Sequence, residues 1–143
     1  MQLLYSDEKF SVPENLYIIG MMNTADRSLA MLDYALRRRF AFYEMKPGFD
    51  NEKFVEYRMN LNNPKFDKLI DVVQSLNNAI ATDESLGEGF KIGHSYFCNI
   101  KEINESRLSN IVEYELIPML KEYWFDEPTK VKDWSNLLRG AVK

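Results

Sequence analysis

Residues 16–28 read LYIIGMMNTADRS. The run from Leu16 to Met22 is apolar and carries two β-branched isoleucines, so its length and composition predict a strand buried on both faces, as in a parallel sheet. The polar residues from Asn23 to Ser28 follow this strand directly. In open α/β sheets, ligands bind at the edge formed by the carboxyl ends of the strands. The stretch therefore predicts a buried strand with a polar, ligand-facing loop behind it.

A helix and a second strand follow closely. Residues 32–40 read LDYALRRRF, and the segment 30–36 has the apolar spacing of a short helix. Residues 40–45 then predict a strand, which Pro47 and Gly48 terminate. The order strand, helix, strand is that of an α/β unit.

The sequence after Gly48 has a helical pattern. Asp50 is the predicted N-cap of a first helix that carries Phe54, Val55 and Met59. Apolar residues recur at three- and four-residue steps from Phe66 to Ile80, which predicts a second, amphipathic helix. Glycines at 87 and 89 interrupt this helix, and residues 90–100 predict a small hairpin.

Two further helices complete the predicted fold. Asn104 is a predicted N-cap of a helix that runs towards Trp124, and Pro118 inside it is expected to cause a kink because proline removes one backbone hydrogen bond. Thr129 predicts the N-cap of the last helix. The expected fold class is α+β and predominantly helical.

Composition excludes several classes of protein. The chain has 143 residues, 45% of them hydrophobic and 28% charged, with a net charge of −4. No run reaches the roughly 20 apolar residues that a membrane span needs, and no signal peptide is recognisable, so a cytoplasmic protein without membrane contact is expected. The net charge argues against a broad nucleic-acid-binding surface. A single cysteine, Cys98, and a single histidine, His94, form no zinc motif, and His94 is interpreted as structural or as a support for a site.

The polar loop and the arginine run suggest phosphate chemistry. A side-chain amide such as that of Asn23 can hold a water molecule because it donates and accepts at once. An arginine such as Arg27 offers a fixed fork of donors that suits phosphate oxygens, and residues 37–39 are three consecutive arginines. Transfer of a γ-phosphoryl group needs both a positioned water and positive charge near the developing negative oxygens.

These two blocks, residues 23–28 and 32–40, resemble the McrB family. Its members are AAA+ GTPase motor subunits of modification-dependent restriction systems that act on 5-methylcytosine. The likeness extends more weakly into residues 93–97, GHSYF, and 113–118, EYELIP. It implies that the chain is the C-terminal piece of an AAA+ module, with strands 4 and 5 of the core followed by a helical lid.

The resemblance also implies a domain boundary. Residues 1–47 would hold the core strands, and residues 48–143 would form the lid with its small hairpin. In the AAA+ sheet the fourth and fifth strands are not neighbours, so their edges would be unpaired if this chain folds alone. We therefore expect either dimerisation through strand pairing or a rearranged N-terminal region.

Catalytic roles follow from the resemblance position by position. Asn23 matches the sensor-1 asparagine that orients the attacking water, and Asp26 and Arg27 match residues that order the same site. Arg38 and Arg39 match the arginine fingers that are offered to the nucleotide of the adjacent subunit.

Asp33 and Arg37 are assigned by the resemblance to the subunit interface near the nucleotide. No phosphate-binding loop of the form G-x-x-x-x-G-K-[ST] occurs in the sequence, nor does an acidic strand end that could hold Mg²⁺ ahead of Asn23. GTP and Mg²⁺ are therefore expected as cofactors of a complete protein and not of this chain alone. The implied partners are a ring of identical subunits, typically a hexamer, a nuclease subunit of the McrC type, and DNA through a separate domain.

Two other functions remain open. The chain could be a non-catalytic assembly module, or a truncated gene product, that docks on an intact AAA+ subunit through its arginine face. It could also belong to an ATP-using AAA+ protein outside restriction, since the residues that select the base are not in this stretch.

Overall fold

The computed structural model of the chain describes residues 11–22, 38–100 and 103–143. The chain divides into two units, residues 1–32 and 33–143. The predicted helix at 30–36 lies outside the described residues.

Neither predicted strand is formed. Residues 16–22 and 40–45 are irregular and exposed, and no strand occurs anywhere in the described part of the chain. Side chains that a sheet would bury are solvent-facing: Ile19 is 92% exposed and Tyr43 is 89% exposed. The physical reason is that a strand needs backbone hydrogen bonds from a neighbouring strand, which an apolar pattern cannot supply by itself. Dimerisation through strand pairing stays a prediction.

The first helix, α1, spans Glu52–Leu61. Its N-cap is Asn51, whose side chain accepts a hydrogen bond from the Lys53 N–H at 2.9 Å, so the prediction of Asp50 as the cap is wrong by one residue. Both residue types cap helices well, and the backbone of Asn51, with φ −66° and ψ 134°, has the extended conformation that an N-cap requires.

The long amphipathic helix is confirmed as α2, Pro64–Ala81. Asn63 caps it by accepting from the N–H groups of Lys65 and Phe66, and Pro64 occupies the first turn, where its missing N–H costs nothing. One face of α2 is buried along its whole length and consists of Phe66, Leu69, Ile70, Val73, Leu76, Asn77 and Ile80.

The hairpin predicted at residues 90–100 is wrong. Two short 3₁₀ turns, Glu88–Phe90 and His94–Phe97, occupy this region. Between them the backbone of Ile92 is held by Asn77, which accepts from the Ile92 N–H at 2.7 Å and donates to the Ile92 carbonyl at 2.9 Å. The Asn77 side chain thus forms hydrogen bonds with the N–H and the carbonyl of Ile92, which a partner strand would otherwise have bonded.

The C-terminal part consists of α3 (Glu105–Asn110), a π-helical segment (Ile111–Leu116), α4 (Ile117–Tyr123) and α5 (Pro128–Val142). Asn104 caps α3 as predicted and accepts from the Arg107 N–H at 2.8 Å. The wider π register ends where the Ile117 N–H donates to the Val112 carbonyl, directly before Pro118. Pro118 cannot donate to the preceding turn, and the change of register lies at this point in the helix.

The start of α5 differs from the prediction. Its N-cap is Glu127, which makes no side-chain capping bond, and Thr129 lies inside the helix. Pro128 sets the start because its fixed φ suits the first helical position.

α2 and α4 each pack against α5. The largest fully buried side chains include Trp124, Phe66, Phe97 and Leu108. Among the described helices, none combines the length and the hydropathy that a membrane crossing needs.

Candidate functional site

Arg38 and Arg39 lie in a turn at residues 38–40, and both are exposed. Among the residues that the structure describes, neither arginine has an ion-pair or hydrogen-bond partner. Two adjacent guanidinium groups can make several charge-assisted hydrogen bonds to phosphate oxygens.

The other predicted site residues are Asn23, Asp26, Arg27, Asp33 and Arg37. All five lie outside the described residues. Their assignment therefore stays a prediction.

The arginine segment, residues 38–46, joins the helical part of the chain at Gly48 and Phe49. Residues 38–46 are exposed, whereas Phe49 is 7% exposed and belongs to the core. At the junction the Gly48 N–H donates to Nδ1 of His94 at 3.0 Å, across 46 residues of sequence. The ring of His94 also meets the rings of Phe49 and Phe54 edge to face, with centroids 6.2 and 5.6 Å apart. His94 has a structural contact here, in line with its interpretation from the sequence.

Just after the C-terminal end of α2 lies a carboxylate, that of Asp83, whose side chain is 6% exposed. Asp83 accepts hydrogen bonds from Trp124 Nε1 at 2.8 Å, from Lys130 Nζ at 2.5 Å and from the hydroxyl of Ser85 at 2.6 Å. Lys130 also lies over the Trp124 ring, 4.6 Å from its centroid. The hydrogen bond from Lys130 is the main reason that the pKa of Asp83 is lowered below its ordinary value of 3.8. Nothing in the local sequence around Asp83 indicated its contacts with Trp124 and Lys130, because these two partners lie 41 and 47 residues away.

We expect Asp83→Asn to lower the free energy of unfolding at pH 7 by about 1–3 kcal/mol, because the charge-assisted bond to Lys130 is lost and Lys130 is left without its buried partner. A carboxylate whose folded pKa is lowered stabilises the fold fully above its unfolded pKa and loses that effect as the pH falls below it. The difference between wild type and variant is therefore constant from pH 7 to about pH 5 and shrinks below the ordinary value of 3.8.

Urea denaturation at several pH values measures this difference, with Asp133→Asn as the control for an exposed aspartate on α5. Equal unfolding free energies for wild type and Asp83→Asn at pH 7 would contradict the assignment.

A shallow groove of about 390 Å³ lies between α4 and α5. Its apolar lining includes Ile117, Trp124 and Val131, and Phe125 at its margin is 83% exposed. Trp124 itself is 1% exposed, so it is a core residue.

In the described ranges, no group of three or more histidine, cysteine, aspartate or glutamate side chains is placed to hold a metal ion. Cys98 is partly buried and its thiol donates to the His94 carbonyl at 3.4 Å. Burial raises the pKa of this thiol.

Comparison with known proteins finds similarity both in the helical part and over the chain as a whole. Residues 68–132 match a family model described as the alpha-helical lid domain of McrB. The chain is also 48% identical to the Type IV methyl-directed restriction enzyme EcoKMcrB subunit of Escherichia coli (strain K12), over a stretch that covers 96% of this chain and 32% of that protein. The chain therefore spans about a third of the length of the curated relative that it matches.

Proposed function

We propose that this chain supplies the lid and the arginine fingers of a nucleotide-hydrolysing motor subunit in a modification-dependent restriction system, because residues 68–132 match a family model described as the alpha-helical lid domain of McrB. The similarity to the Escherichia coli subunit, which is itself named as part of a methyl-directed restriction enzyme, extends over 96% of the chain and so well beyond the lid. GTP is the proposed nucleotide.

The observation that carries this proposal is the exposed pair Arg38 and Arg39 on a segment that the lid holds at Gly48. An arginine finger has to extend across the subunit interface to contact the nucleotide that is bound by the neighbouring subunit. The backbone from Arg39 to Gly48 spans at most about 30 Å when extended, which sets the range over which the lid can present these groups.

The donor set fits a nucleotide in part. Guanidinium groups suit the γ-phosphate oxygens, and charge placed there stabilises the transition state of phosphoryl transfer. The described residues offer no carboxylate cluster for Mg²⁺, and the sequence has no phosphate-binding loop, so no step is assigned to the metal in this chain. Mg²⁺ would supply further neutralisation of the phosphates from another part of a complete subunit.

In the proposed mechanism, Asn23 holds the attacking water through its side-chain amide, and Asp26 and Arg27 order the same loop. Asp33 and Arg37 contribute to the subunit interface beside the nucleotide. Arg38 and Arg39 place positive charge on the oxygens of the neighbour's γ-phosphate.

Such a mechanism requires assembly, because a finger acts on a neighbouring subunit. We propose a ring, with a hexamer as the typical size, that works with a nuclease subunit of the McrC type. DNA would be bound through a separate domain.

The experiment that tests the proposal uses a chimera in which this chain replaces the matching third of the Escherichia coli subunit. The chimera is expected to hydrolyse GTP, whereas the 143-residue chain alone is expected to show no micromolar affinity for GTP or ATP in a binding titration, because its sequence lacks the phosphate-binding loop. A folded chimera that hydrolyses neither nucleotide would count against the motor function, and hydrolysis of ATP alone would reassign the nucleotide.

A second candidate, a non-catalytic assembly module, draws on the exposed apolar segment at residues 40–45. Tyr43 is 89% exposed and Met45 is 87% exposed, and such side chains could add to the sheet of an intact subunit. This function predicts that the separate chain binds the intact Escherichia coli subunit and changes its hydrolysis rate. The motor function instead requires the chain to be covalently part of a subunit.

A further inference from the structure

We propose that His94 is a positioning residue, which holds Gly48 and so fixes the point at which the arginine segment leaves the lid. The catalytic consequence rests on the proposed function. The contact itself rests only on the geometry of the described residues.

The first argument is the hydrogen bond across the junction. The Gly48 N–H donates to Nδ1 of His94 at 3.0 Å. A neutral imidazole accepts at one nitrogen and donates at the other, so this bond places the ring proton on Nε2. Among the hydrogen bonds between described residues, Gly48 is the one residue of 38–48 whose backbone N–H bonds to a distant part of the sequence.

The second argument is the closeness of the packing. A Cβ atom added at Gly48 would lie 3.1 Å from Cε1 of His94, so the backbone can approach the ring this closely because the residue is glycine. On the next residue, the ring of Phe49 meets both His94 and the fully buried Phe97. The junction is therefore held by a hydrogen bond and by aromatic packing together.

The third argument is that His94 itself is firmly placed. It begins the 3₁₀ turn His94–Phe97, its carbonyl accepts from the Cys98 thiol at 3.4 Å, and Ile92 before it is fixed by Asn77. A group that is held from several sides can hold another segment in turn. A shift of the junction by one residue would move the arginines by about 3 Å along the segment, and such misplacement of a catalytic group lowers rate steeply.

The test on the whole 143-residue chain compares His94→Phe, which keeps an aromatic ring and loses the acceptor, with His94→Asn, which keeps an acceptor near the position of Nδ1. Amide hydrogen exchange of Gly48 is expected to speed up about tenfold in His94→Phe and to return towards wild type in His94→Asn. The imidazole ¹⁵N shifts of the wild type are expected to report the Nε2–H tautomer.

Leu108→Ala serves as the control, since it truncates a buried core side chain in α3 and leaves Gly48, Phe49 and His94 unchanged. Amide exchange of Gly48 in the two variants is compared at temperatures equally far below their melting temperatures. If Leu108→Ala then accelerates this exchange as much as His94→Phe does, His94 has only a general structural role. Unchanged exchange at Gly48 in His94→Phe would overturn the proposal outright.

The catalytic part is tested in the chimera. His94→Phe is expected to lower kcat for GTP hydrolysis about tenfold with little change in KM, and to have no further effect once Arg38 and Arg39 are both alanine. If Arg39→Ala lowers kcat and His94→Phe does not, the positioning role is wrong while the proposed function stands. If Arg39→Ala leaves kcat unchanged, the proposed function fails, and the catalytic role of His94 fails with it.

Discussion

Arg39→Ala is expected to lower kcat for GTP hydrolysis by about 10³-fold in the chimera, because arginine fingers contribute roughly 10³–10⁵ in rate in well-studied nucleotide hydrolases. KM is expected to change little, since the finger acts mainly on the charge that develops in the transition state. Arg38→Ala is expected to act in the same direction. Steady-state hydrolysis assays measure both effects.

A finger that acts between subunits gives a distinctive result in mixtures. Arg39→Ala chimera mixed with a copy whose phosphate-binding loop is disabled is expected to regain hydrolysis, because the second copy lends its intact Arg39 to the first copy's nucleotide. An arginine that served the nucleotide of its own subunit would give no such recovery. The absence of recovery in rings that have formed would therefore reject the role in trans.

Arg107→Ala is the matched control. Arg107 is exposed in the described structure, it lies in α3, and its side chain makes no hydrogen bond or ion pair there. Its loss removes the same charge as Arg39→Ala does and is expected to leave kcat within about twofold of wild type. An equal fall in both variants would indicate a general effect of charge on the assembly and not a finger.

The helices show what a sequence of this kind predicts well. The buried face of α2 follows from the three- and four-residue spacing between Phe66 and Ile80, and Asn104 was recognisable as a cap because its side chain satisfies a backbone N–H only three residues away. Both signals are local. Where two residues of similar chemistry compete, as at Asp50 and Asn51, the same local signal leaves an error of one residue.

The wrong predictions of strands and of a hairpin concern interactions between residues that are not neighbours in the sequence. The apolar pattern of residues 90–100 was typical of a hairpin, but the backbone of Ile92 pairs with the side chain of Asn77 instead of another strand. Residues 40–45 have strand propensity and no strand partner among the described residues. Propensity is a weak guide wherever pairing decides the outcome.

The candidate site also contains residues that the sequence indicated and a contact that it did not. The prediction for Arg38 and Arg39 comes from the sequence, because a continuous motif resembles a known family, and the structure adds that both are exposed. The contact between Gly48 and His94 could not be assigned, since it joins residues 46 positions apart and neither belongs to a motif with a known partner.

Asn77→Ala is expected to lower the free energy of unfolding by about 3 kcal/mol. Asn77 is 5% exposed and Ile92 is 1% exposed, so truncation leaves both the N–H and the carbonyl of Ile92 buried without their partner, and each unsatisfied buried group costs about 1–3 kcal/mol. The midpoint of urea denaturation measures the loss.

The neighbouring Asn78 provides the control for this substitution. Asn78 is exposed in the same turn of α2, so Asn78→Ala brings the same gain in helix propensity without removing a buried hydrogen bond, and it is expected to be neutral or slightly stabilising. Unfolding free energies that agree within about 0.5 kcal/mol for the two variants would contradict the role of Asn77. Because Ile92 lies two residues before His94, Asn77→Ala should also accelerate amide exchange at Gly48, which links the stability of the lid to the junction that carries the arginines.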